Sequence, residues 1–206
     1  MKAISGAPAR ALAPAVEWIT LACIAGCYAA WGGALFGLAA GFPALGWVLV
    51  AIAIAFHSSL THEVLHGHPF RSTFWSEMTM CLPLGLAVPY GRFRDLHLAH
   101  HRDANLTDPY DDPETNYLDP VVWARLPRWK RALFRVNNTL AGRILIGPAL
   151  GQALFLQAEW RLARAGDRAV RRAWRLHLAG GAVVLALGGT YCYMLHAQHR
   201  EGGRDV

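Results

Sequence analysis

Seven of the ten histidines in this 206-residue chain lie in one stretch, residues 57–101. Five of the seven fall at helical spacing: His62, His66, His97, His100 and His101. The first two are four residues apart, and the last two follow the third by three and four. Residues three and four apart share one face of an α-helix, and neutral imidazole is a common ligand for iron, zinc, copper and nickel. The spacing therefore predicts a metal site between two helices.

Long uncharged runs predict that these helices belong to a membrane protein. Hydrophobic residues make up 54% of the chain and charged residues 17%. No Asp, Glu, Lys or Arg occurs from Trp18 to His62, which is enough for two spans of about 20 residues each. We expect these spans at about residues 16–36 and 44–60, with the turn in the glycine-containing segment 37–46. A third uncharged run predicts a span at about residues 176–195.

The distribution of charge predicts the orientation of these spans. The net charge is +6, and all lysines and arginines except four near the termini lie between Arg71 and Arg175. By the positive-inside rule, the N-terminus and the region 62–175, with its histidines, face the cytoplasm, and we expect a bacterial inner membrane. The arginine-rich run 161–175 suits an anionic leaflet, so a membrane is the expected partner and nucleic acid is not.

The predicted fold is therefore an all-α integral membrane protein. It has three transmembrane helices, a hairpin plus one, and cytosolic or interfacial helices that carry the two groups of histidines, in a single domain over residues 1–206. No Pro or Gly interrupts residues 47–66, so one helix is expected to carry the first histidine pair out of the bilayer and to end at Gly67. His68 then lies at or beyond the helix end. His57 lies inside the span, with a structural role or a hydrogen bond to a ligand.

Three further segments are expected to be helical or to lie at the membrane interface. Residues 71–90 predict an interfacial helix that ends at Pro83 or Pro89. Residues 121–142 predict a basic amphipathic helix. Residues 144–160 are apolar, but arginines follow them, so we expect an interfacial or re-entrant segment broken at Pro148 and not a further span.

Taken alone, the first histidine pair is compatible with a zinc peptidase. His62, Glu63 and His66 fit the pattern HExxH, in which two imidazoles bind Zn²⁺ and the glutamate is the general base. This alternative gives the second histidine cluster no role in metal binding or catalysis. It also lacks a downstream motif that would supply a third protein ligand.

The two clusters together resemble a known family. THEVLHGH at residues 61–68, and FRDLHLAHHRD at 93–103 with LTDPYDDPE after it, are similar to the first two histidine boxes of the membrane fatty acid desaturase/hydroxylase superfamily. The resemblance implies a site for two irons whose ligands in this chain are His62, His66, His97, His100 and His101.

The resemblance also implies an activity. It would be the O₂-dependent desaturation or hydroxylation of a lipid acyl chain, with electrons from a separate ferredoxin, rubredoxin or cytochrome b5-type protein. No catalytic residue separate from the ligands, and no other cofactor-binding residue, is implied. Glu63, Asp95 and Asp103 would be hydrogen-bond partners of the ligand rings or exposed charges.

The chain departs from the family pattern at its third box. The family reaches a further HxxHH after a fourth span, whereas this sequence reaches Val206 with only His196 and His199, in HAQH. Three spans from a cytoplasmic N-terminus place this tail outside, so we expect it to be solvated. We expect the chain to be C-terminally truncated or to be completed by another subunit. Five ligands are too few to fill two iron coordination shells, so activity stays open, and a non-catalytic metal-binding remnant is a further alternative.

Overall fold

The structure is a computed structural model that describes residues 16–38, 41–102, 107–111 and 117–202. Within these residues the regular structure is helical, apart from one isolated antiparallel bridge between Val16 and Phe70. The predicted all-α class is confirmed. The chain folds into two compact units, one of residues up to Tyr90 and from Arg175 onward, the other from Gly91 to Trp174.

Two long apolar helices dominate the first unit. Helix α1 (Trp18–Gly33) continues into a π-helical turn at Ala34–Leu38, and α2 covers Pro43–Leu65. Both are long and apolar enough to cross a membrane, as the sequence predicts. Proline suits the first turn of α2 because no N–H is needed there. Gly67, at φ 106°, follows the end of α2, in the left-handed conformation that glycine adopts readily.

A continuous apolar core joins α1 to α2. Ile24 and Trp31 of α1 are buried in one cluster with Val50 and Leu60 of α2. At the crossing, the Cys27 thiol donates to the Ala53 carbonyl at 3.4 Å. Beside this core, an open apolar groove of about 590 Å³ lies between the two helices. Its lining is mostly glycine and alanine on α1, and aliphatic residues with Phe56 on α2.

The segment after α2 is less helical than the sequence predicts. Helix α3 covers only Thr73–Met78, and turns and bends follow it, so the single interfacial helix over 71–90 is wrong. Pro83 and Pro89 lack the N–H that a continuing helix requires. The buried Ser76 holds the start of the segment, because its hydroxyl donates to the Phe70 carbonyl at 3.1 Å and accepts from the Phe70 N–H at 3.2 Å.

The last helix, α9 (Arg168–Gly202), contributes its part from Arg175 onward to the first unit. His177 donates to the Leu86 carbonyl at 3.0 Å, and Val184 joins the apolar core. The predicted third span, 176–195, is thus helical throughout, and its crossing of the membrane stays a prediction. The side chains of His196 and His199 lie outside the described residues.

Short helices build the second unit. Its elements are α4 (Tyr90–His100), α5 (Pro120–Arg125), α6 (Arg128–Asn137), α7 (Leu140–Leu145), α8 (Gly147–Arg164) and the start of α9. One helix over 121–142 is wrong, because Pro127 and the Thr139 N-cap separate three helices. The expected break in the segment 144–160 is present, but it falls at Ile146, between α7 and α8. Pro148 lies just after it, in the first turn of α8, where its missing N–H costs nothing.

Candidate metal centre

The first histidine pair lies at the C-terminal end of α2. The rings of His62 and His66 meet edge to face with centroids 4.8 Å apart, and both side chains are exposed. Their ligand nitrogens lie within 4.8 Å of each other. The spacing of four residues and the unbroken helix produce this arrangement, as the sequence predicts.

A hydrogen-bonded group surrounds the end of that helix. His68 follows the helix, as predicted, and its Nδ1 lies 2.6 Å from the Glu17 carboxylate while its Nε2 lies 3.4 Å from Glu63. The Glu17 N–H donates to the Pro69 carbonyl at 2.8 Å. The start of α1 is thereby tied to the chain just beyond the first histidine pair. Glu63 is engaged with His68, a partner that HExxH alone does not reveal.

The second histidine cluster lies on α4 and just beyond it. The Nε2 atoms of His97 and His101 are 2.9 Å apart, and the centroid of the His100 ring lies 6.2 Å from that of His97 and 5.9 Å from that of His101. Two nitrogens that bind one metal ion at about 2.1 Å and at a right angle are about 3 Å apart. The pair therefore fits two neighbouring positions on one ion.

A buried ion pair holds α4 within its unit. The Arg92 Nε donates to both carboxylate oxygens of Glu159, at 3.0 and 2.8 Å, and the Trp174 indole N–H donates to the same carboxylate at 3.0 Å. The side chains of Arg92 and Glu159 are only 10% and 3% exposed. Close packing at Gly91, where an added Cβ would lie 3.3 Å from the Ala173 Cβ, supports the same contact.

Sequence reasoning missed this ion pair. Its partners are 67 residues apart, so no helical periodicity links them. The available signal was Glu159 itself, the only charged residue in the apolar run 144–160, because a carboxylate there requires a partner. Asp95, a predicted partner of the ligand rings, pairs with Arg94 at 2.8 Å. Asp103 lies outside the described residues.

A second polar group missed by sequence reasoning lies inside the first unit. The buried His57 has its Nε2 3.2 Å from the Tyr28 hydroxyl, which also lies 3.0 Å from the Thr79 and Leu82 carbonyls. Because the hydroxyl has one proton and two lone pairs, it can donate to a backbone carbonyl and accept from His57 at the same time. Tyr28 thereby links α1 to α2 and to the segment 79–82. These contacts support the structural role expected for His57.

Comparison with known proteins supports the resemblance seen in the sequence. A family model described as Fatty acid desaturase matches residues 39–198, which include both histidine clusters. No curated protein and no solved structure gave a match. The family and the two apolar helices indicate an integral membrane protein, a lipid substrate and a desaturase- or hydroxylase-type oxidoreductase, and they give the zinc-peptidase alternative no support. The chain belongs to the fatty acid desaturase family.

Proposed function

We propose that this protein is an iron-dependent oxidoreductase that desaturates or hydroxylates a lipid acyl chain with O₂. The observation that carries the proposal is the family match over residues 39–198, because that segment contains all five histidines at helical spacing. Electrons would come from a separate ferredoxin, rubredoxin or cytochrome b5-type protein. The histidines would face the cytoplasm of a bacterium, with the membrane crossed by α1, α2 and the segment 176–195.

The proposed ligands are the five histidines of the two clusters: His62, His66, His97, His100 and His101. Iron accepts imidazole nitrogen readily, and the 2.9 Å between the Nε2 atoms of His97 and His101 fits neighbouring positions on one ion. When bound, iron would supply the redox chemistry that activates O₂ and attacks an unactivated C–H bond. The family precedent is two irons, and we propose that both clusters contribute ligands to them.

The remaining groups of the site would hold the ligands in place. His68, with Glu17 and Glu63 on its two ring nitrogens, restrains the end of α2. Arg92 and Glu159 restrain α4. Neighbours that fix ligand orientation typically change metal affinity about 10–100-fold when they are removed.

The apolar groove between α1 and α2 supports a lipid substrate. Phe56 lies in its lining and precedes His62 by six residues on the same helix, which is about 9 Å along the axis. A hydrocarbon chain in this groove would contact glycine, aliphatic, cysteine and phenylalanine residues, none of which is charged. The groove therefore offers a site for an acyl chain within about two turns of α2 from the first histidine pair.

Metal analysis of the purified full chain tests the proposal. We expect iron to copurify in excess of zinc, and His97→Ala and His101→Ala each to lose most of it. His177→Asn is the matched control, because His177 is a buried histidine outside both clusters whose ring donates to the Leu86 carbonyl, and this variant should keep its iron. One zinc ion per chain together with peptide cleavage would show that the protein is a zinc peptidase and would contradict the proposal. A purified chain without metal would show that it is a non-catalytic remnant.

Glu63→Gln separates the two metal chemistries further. A zinc peptidase would lose its general base, and cleavage would stop. In an iron oxidoreductase the same change removes a charge beside His68, which is not a proposed ligand, so iron binding should weaken by no more than about 10-fold, the lower end for a group that bonds a ligand directly. Acyl-chain analysis of lipids from cells that express the chain with an electron donor would then identify the product.

A further inference from the structure

Helices α6 and α7 expose an unusually apolar face for so basic a region. The exposed apolar side chains are Trp129 and Val136 on α6, and Leu140, Ile144 and Leu145 on α7. Leu140 and Leu145 are 78% and 79% exposed. Contiguous exposed apolar groups of this size mark a surface that contacts something other than water.

The other face of α6 is cationic. Arg128, Arg131 and Arg135 recur at intervals of three and four residues, so they share one face of the helix. Trp129 and Val136, seven residues apart, lie on a separate face. An amphipathic helix with arginines on one side and tryptophan and aliphatic residues on the other is the type that lies in a membrane interface.

A close contact holds α6 and α7 as one corner. An added Cβ at Gly142 would clash with the Val136 carbonyl oxygen, so only glycine allows the two helices to approach this closely. The Thr139 hydroxyl donates to the same carbonyl at 2.7 Å and accepts from the Gly142 N–H at 3.0 Å. The apolar side chains of the two helices are therefore presented together.

We propose that α6 and α7 form an anchor that lies on an anionic lipid bilayer, with the apolar face among the acyl chains and the arginines at the headgroups. None of the residues of this surface belongs to the histidine clusters, and the proposal does not depend on the proposed activity. Both faces are then used: the apolar groups leave water, and each arginine near an anionic surface gains about 1 kcal/mol.

Charge decides between a bilayer and a second copy of the chain. Residues 120–145 contain no Asp or Glu, so a symmetric contact through this surface would set arginine against arginine. Nucleic acid would satisfy the arginines but would leave the exposed leucines in water. An anionic bilayer satisfies both groups.

The test uses the full chain in nanodiscs made of phosphatidylcholine, with and without phosphatidylglycerol. Lipids brominated near the headgroup quench a tryptophan that lies at the interface, and the difference between the unchanged chain and Trp129→Phe isolates Trp129. We expect Trp129 to be quenched, and more strongly when phosphatidylglycerol is present. Trp123→Phe controls for the loss of one indole, because the Trp123 ring packs against Phe134 and should contribute less.

Arg128→Gln, Arg131→Gln and Arg135→Gln combined test the electrostatic part. Each arginine favours the bound position of the helix on an anionic surface by about fivefold, so the triple variant should shift that equilibrium by a factor on the order of 100. The extra quenching that phosphatidylglycerol produces should therefore disappear. In pure phosphatidylcholine the triple variant and the unchanged chain should be quenched alike. The proposal is overturned if Trp129 is unquenched in both lipids, if the triple variant keeps its response to phosphatidylglycerol, or if Trp129 is shielded only in a dimer.

Discussion

Replacing Glu159 by glutamine tests how the helix with the second histidine cluster is held in its unit. The change preserves side-chain shape but leaves Arg92 charged and without its carboxylate. The two side chains are 10% and 3% exposed, so water cannot replace the lost partner. Breaking a buried pair in this way costs about 3–5 kcal/mol, against about 0–1 kcal/mol for a pair on the surface. We therefore expect Glu159→Gln to lower the free energy of unfolding by about 3–5 kcal/mol.

The assay is reversible unfolding of the purified chain in detergent, with helix content followed by circular dichroism. Arg94→Gln is the matched control on the same helix, because its pair with Asp95 is 33% and 40% exposed and its loss should cost no more than about 1 kcal/mol. Arg92→Met combined with Glu159→Gln should cost less than the sum of the two single changes, because no unpaired charge is then buried. If Glu159→Gln costs no more than Arg94→Gln, or if the two changes are additive, the buried pair does not act as described.

Three further substitutions test contacts within the first unit by the same unfolding measurement. In Gly180→Ala the new Cβ would clash with the Cys81 carbonyl oxygen, so this variant should lose about 1–3 kcal/mol of stability. Gly188→Ala meets open space and should stabilise α9 by about 1 kcal/mol. Equal effects of the two changes would contradict the close approach of Gly180 to the Cys81 backbone. Tyr28→Phe removes the hydroxyl beside His57 and should cost about 1–3 kcal/mol. A neutral result would mean that the bonds of the Tyr28 hydroxyl do not stabilise the fold.

The pair of long apolar helices, α1 and α2, could be predicted almost completely because its signals are local. An uncharged run has a length that the bilayer fixes, and Gly67 supplies a stop where the chain needs positive φ. The errors concern helix boundaries, most of them in the second unit. The pattern over 121–142 predicts one helix, whereas Pro127 separates α5 from α6 and the Thr139 N-cap separates α6 from α7. Pro148 marks a boundary correctly, but as the start of a helix and not as its interruption.

The histidine clusters could be predicted as clusters, because four-residue spacing brings side chains together on any helix. The groups that hold those helices could not. Glu17 and His68 are 51 residues apart, and Arg92 and Glu159 are further apart still. Contacts at such separations depend on how helices pack, and packing has no short sequence signature.

The position of Arg92 on α4 explains how one distant contact could set the direction of the second histidine cluster. With 3.6 residues per turn, His97 lies roughly 140° around the helix from Arg92, and His101 roughly 180°. Burying Arg92 against Glu159 therefore turns these two histidines away from the interior of their unit. Burial agrees for His101, which is exposed whereas Arg92 is buried. Apolar contacts alone would tolerate a small rotation of α4, whereas a carboxylate that must meet Arg92 Nε at about 2.9 Å allows much less.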